Sequence, residues 1–174
     1  MLTAMSDMSR HLPLSNRERV DESAVTSDWR EALAEVVTSA ALLAPTTEDQ
    51  LAFLDEAGLP HSDDPSLSDV ADAIRAGRRV RIRSLVTATR AFLVLAGDRP
   101  VAIAPATSGA VALYAVTRMP FDRRAAVAGS ALLASDDGWA LGRGPARPAP
   151  ARDILRFVLG LSDDVPGTPS RHRR

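Results

Sequence analysis

The sequence predicts an α/β fold, with α+β also open: a small mixed sheet or β-meander with helices packed mainly on one face. Three observations predict it. Residues 27–77 hold three stretches of helical periodicity with start and stop signals. The period then changes to strict alternation over 79–83. Apolar runs follow, broken by turn residues around 96–100 and 105–109.

Residues 1–26 lack sustained periodicity and are expected to form a disordered arm. In "SDWREALAEVV", Asp28 can cap a helix, and Glu31 lies three residues on at capping-box spacing. Trp29, Leu33, Val36 and Val37 share one face. Residues 38–44 either extend that helix or form a short buried strand ending before Pro45, and periodicity does not separate the two. A second helix is predicted over "TTEDQLAFLDEAG", with Thr47 and Gln50 as a capping box and Gly58 at its end. A third, over "SLSDVADAIRAG", is capped by Ser66 and closed by Gly77, with Leu67, Val70 and Ile74 on one side.

"RRVRIRS" then reads as a half-buried strand, with Val80 and Ile82 inward and Arg79, Arg81 and Arg83 outward. "RAFLVLAGDRPVAIAP" reads as two strands around a turn at 96–100, and "GAVALYAVTR" as a third. The predicted core of this meander is Phe92, Val94, Val101, Ile103, Val111 and Leu113, with Leu67, Val70 and Ile74 over it. For 121–134 a helix after Pro120 is favoured and Gly129 weakens it, so helix and strand both stay open. The main body is expected over 27–141. A proline-rich linker follows over 142–151, then a C-terminal helix over 152–165 and a disordered tail over 166–174.

The chain has 174 residues, a net charge of −1 and no cysteine. One domain with a proper core is therefore expected. Disulfides, thiolate nucleophiles and cysteine-based metal sites are excluded. There is also no lysine, which excludes Schiff-base chemistry and a Walker-type phosphate loop. No apolar run reaches the length of a membrane span, and the opening stretch lacks the pattern of a signal peptide, so a cytoplasmic protein is expected. His11, His61 and His172 lack metal-ligand spacing, and neither a cofactor nor a metal is implied. His61 beside Asp63 and Asp64 reads as a loop before Pro65 rather than a dyad. No residue set supplies nucleophile, base and orienter, so no catalytic residue is assigned and a non-enzyme is expected.

Charge is uneven. Residues 31–74 hold ten acids and no arginine, whereas 75–174 hold 17 arginines and seven acids. Arg79, Arg81 and Arg83 are accordingly candidates for contact with a ligand or partner. The competing readings are a solvated face partly paired to the acidic helices, an acidic protein partner or second protomer, and nucleic acid. Trp139, after the turn "DDG", is a further contact candidate.

Residues 67–114 resemble the phospholipase-D-like sensor module of actinobacterial transcription regulators of the TrmB-like and LuxR-type classes. Ala76, Gly77, Val80 and Arg81 match its first segment, and Thr89, Arg90, Leu93 and Val94 the next. Asp98, Arg99, Val101, Ala102, Pro105, Ser108 and Gly109 match the rest. "ARDILRFVLGLSDDV" is similar to the first helix and turn of a LuxR-type helix-turn-helix. The resemblance implies a non-enzymatic regulatory module that senses a ligand or a partner; a small-molecule ligand is possible and its identity is open. It does not imply phosphodiester hydrolysis, because the active motif's Lys and His are missing. The pattern stops after Val165 without a recognition helix, so no specific DNA binding by the chain alone is expected. An adaptor acting through a sheet edge, or a small enzyme, are the alternatives.

Overall fold

A computed structural model describes residues 28–168. The expected arm over 1–26 and the tail from 169 onward lie outside the described residues. The fold is α+β, with seven helices and one three-stranded mixed sheet among the described residues. The helices are α1 (Arg30–Ala41), α2 (Thr47–Ala57), α3 (Leu67–Ala76), α4 (Ile82–Ala96), α5 (Pro105–Val116), α6 (Phe121–Ala126) and α7 (Ala151–Val158). The strands are β1 (Ala131–Ala134), β2 (Ala140–Gly142) and β3 (Ala146–Ala149).

The first three helices form where the periodicity places them. α1 runs through Ala41, which settles 38–44 as mostly helix. The box that opens α2 sits one residue earlier than expected: the Thr46 hydroxyl accepts the Asp49 N–H at 3.1 Å and donates to the Asp49 carboxylate. Gly58 ends α2 at φ 63°, a left-handed conformation that costs glycine nothing. Ser66 caps α3 through the Asp69 N–H.

In place of the meander expected over 79–118 stand the helices α4 and α5, joined by the non-helical residues 97–104, so that the break expected at 96–100 is a turn between helices and not between strands. Arg79 and Arg81 precede α4 and Arg83 lies inside it, so the alternation at 79–83 is not a strand. Residues 90–96 belong to α4. Leu85, Ala88, Thr89, Phe92, Leu93 and Ala96 recur at three- and four-residue steps and are all buried. That stripe overrides the β-branched residues interspersed with it. Val94, predicted inward beside Phe92, is 51% exposed, as an i,i+2 neighbour on a helix must diverge. Leu113 is 59% exposed for the same reason, while Val111 is buried. Pro105 opens α5 at its first turn, where its missing N–H costs no bond.

The sheet lies further along the chain. Its order is β2-β1-β3, with β1–β2 antiparallel and β1–β3 parallel. Residues 121–134 divide into α6 and β1. The stretch 142–151, expected as a linker, contains β3. Pro148 is tolerated there because β3 is an edge strand. Gly144 presses on the chain before β1: at φ 121°, an added Cβ would lie 2.1 Å from the Gly129 carbonyl oxygen. The two glycines of "GRGP" therefore serve the β2–β3 turn.

α7 buries Ile154, Leu155, Phe157 and Val158 and ends at Val158, short of the helix expected over 152–165. It docks on the C-terminal end of α4: Arg156 donates to the carbonyls of Gly97 at 3.0 Å and Leu93 at 3.4 Å, and Arg152 to those of Gly97 and Asp98. Cations there complement the helix dipole and satisfy orphan carbonyls. One continuous core joins α1–α5, β1 and α7. Among the described residues, no helix is long and apolar enough to cross a membrane.

Candidate functional site

The arginine turn between α3 and α4 is held from the start of α1. The Asp28 carboxylate accepts the N–H groups of Arg30 and Val80, each at 3.2 Å. Trp29 N–H donates to the Val80 carbonyl at 3.1 Å. The Arg30 guanidinium donates to the Gly77 carbonyl at 2.9 Å and also grips Asp28 at 2.8 Å. Partial desolvation opposes ionisation of Asp28. The N–H of Val80, the guanidinium of Arg30 and its N–H outweigh it and hold the carboxyl below its ordinary value.

Arg78, Arg79, Arg81 and Arg83 are all exposed around this pinned turn. They do not share one face of a strand: Arg81 is the residue before α4, and Arg83 is its second residue. The acidic segment pairs elsewhere. Arg75 meets Asp72 and Glu31, at 2.8 and 3.5 Å, and Arg90 meets Glu56. The guanidinium groups of Arg78, Arg81 and Arg83 make no hydrogen bond or ion pair with a described residue. The first turn of α4 carries no acid. Cations crowd the positive end of a helix there, which is unfavourable until an anion arrives.

Beside the turn opens an apolar cleft of about 360 Å³, within the range of small-molecule sites. Leu33, Leu59, Val70, Ile74 and Val80 contribute to its wall, and Arg78 and Ser84 stand at it. The sequence separates these residues over α1, the α2–α3 loop, α3, the α3–α4 turn and α4, and only Arg78, Val80 and Ser84 belong to the conspicuous arginine stretch.

Trp139 faces inward rather than standing free. Its indole N–H donates to the Ser108 hydroxyl at 2.8 Å, with Asp137 at 3.3 Å. Ser108 in turn donates to the Asp137 carboxylate. An added Cβ on Gly109 would lie 3.2 Å from the ring, so the glycine admits the indole against α5. The neighbouring Asp136 accepts the Ala151 N–H at 2.7 Å, capping α7 from outside the helix. This chain of bonds ties the β1–β2 turn to α5 and α7. His61 pairs with Asp55 at 3.1 Å rather than with Asp63 or Asp64. His11 and His172 lie outside the described residues.

Comparison with protein-family models, with curated proteins and with solved structures finds no match.

Proposed function

We propose that this protein is a non-enzymatic sensor module that binds a small anionic ligand with an apolar body. The resemblance to regulator sensor modules suggests such a role. The observation that carries it is the apolar cleft beside a turn of exposed arginines, three of which, Arg78 at the cleft and Arg81 and Arg83 next to it, lack a described counter-ion. The cleft favours the ligand's apolar part by burial, at roughly 25 cal/mol per Å². The guanidinium groups favour its carboxylate or phosphate through charge-assisted hydrogen bonds. The same anion offsets the charge crowding at the start of α4.

A regulatory role in the cytoplasm is part of the proposal, in keeping with a chain that uses no cysteine. Specific DNA reading is assigned to a partner or to another part of a larger assembly. Native mass spectrometry of the freshly purified protein tests the reading. A co-purified anionic amphiphile, lost on denaturation, is the expected result. A thermal midpoint unmoved by decanoate and by decyl phosphate would count against it.

A further inference from the structure

Residues 101–104 connect α4 to α5 without joining the sheet. Their burial nevertheless alternates as in a strand: Val101 and Ile103 are half-buried against the core, and Ala102 and Ala104 are exposed. The N–H and C=O groups of Val101, Ala102 and Ile103 make no hydrogen bond with a described residue. With alternate side chains turned inward, these groups point sideways, along the two edges of the segment.

A groove of about 270 Å³ runs along one edge. The segment forms one wall and α1 the other, through Glu35, Thr38 and Ser39, with Val36 and Phe92 contributing apolar surface. An unpaired extended wall facing a helix is the arrangement in which a peptide adds as a strand. Main-chain bonds supply affinity there, and side-chain contacts supply selectivity. The charge of the groove selects the occupant. Glu35 makes no ion pair or hydrogen bond through its carboxylate with a described residue. Arg75, the cation at the groove, is already taken by Asp72 and Glu31.

We infer that residues 101–104 accept an extended peptide as an added strand in this groove, and that the peptide carries an Arg or Lys side chain placed against Glu35. This site is separate from the arginine-rimmed cleft and does not depend on it.

Two degenerate nonapeptide pools, blocked at both ends, test the inference on the full chain. One pool has Arg fixed at the centre and the other has Glu. The readout is amide hydrogen exchange at Ala102, Ile103 and Ala104. The Arg pool slows exchange there and the Glu pool does not. A pool N-methylated at consecutive residues loses the effect, because neither edge of the peptide can then donate to the ladder. Glu35→Arg reverses the preference between the pools. Glu35 is exposed on α1, so the variant retains its helical signal; should it not, Glu35→Gln supplies the comparison and loses the preference. Equal slowing by the Arg and Glu pools, slowing by neither, or slowing that survives N-methylation overturns the proposal.

Discussion

The Asp28 carboxylate accepts the Val80 N–H at 3.2 Å and thereby fastens the arginine turn to the start of α1, 52 residues earlier in the chain. Because these bonds favour the ionised form, the carboxyl titrates below its ordinary value in the folded protein. Its contribution to stability is therefore present above the unfolded carboxyl pKa, about 3.9. It is lost as pH falls through the lower folded value. Asp28→Asn removes that dependence. Urea midpoints at pH 7 and pH 3 are expected to show the variant less stable at pH 7, with the gap narrowing at pH 3. A gap of constant size would mean that Asp28 is not held ionised by these partners.

Phe92 and Val94 separate a helix from the strand that alternation suggests. Phe92 is 1% exposed and Val94 51%. Phe92→Ala should cost about 3–5 kcal/mol in denaturant unfolding. Val94→Ser should stay within about 0.5 kcal/mol, as exposed substitutions do. Comparable losses from both would restore the strand.

Thr89 is fully buried on α4, and its hydroxyl has no hydrogen-bond partner among the described residues. Burying an unpaired hydroxyl costs about 1–3 kcal/mol on the scale of protein mutations. Thr89→Val keeps the shape and removes the cost. The variant should therefore melt higher than the parent in calorimetry, and a clear loss of stability would point to a partner for that hydroxyl.

Ser108 is the fully buried middle of the bond chain from Trp139 to Asp137. Ser108→Ala leaves the indole with Asp137 alone, at 3.3 Å. The expected loss is about 1–3 kcal/mol. Trp139 fluorescence, read in a Trp29→Phe background, should shift with it. An unchanged spectrum would show that the indole does not depend on Ser108.

Helix boundaries marked by a side chain were legible in the sequence. Ser66, Gly58 and Gly77 sit at the ends where their chemistry places them. The apolar runs between residues 79 and 149 were not legible, for two reasons. In α4, Val86, Thr87 and Val94 fall between the buried positions and imitate strand composition, while the Leu85–Ala88–Phe92–Ala96 stripe relies on small alanines. The true strands are three or four residues long and built mostly of Ala, Leu, Gly and Pro, too short and too weakly β-forming to set a period. The arginines of the candidate site stood out as a cluster. The cleft beside them did not, because Leu33, Leu59 and Val70 meet Val80 only through tertiary packing.

The central claim is that arginines and cleft act on one ligand. Titrating ¹⁵N-labelled protein with decanoate, and following the amides of Leu59, Val70, Val80 and Ser84, tests it most directly. The parent should show saturable shifts at those four residues, weakened by salt as charge recognition requires. Decanol, which lacks the charge, should bind more weakly. The Arg78→Ser, Arg81→Ser double variant should lose most of the preference for decanoate over decanol while its fold is retained. Shifts confined to other surfaces, or a double variant that binds decanoate as tightly as the parent, would contradict the account.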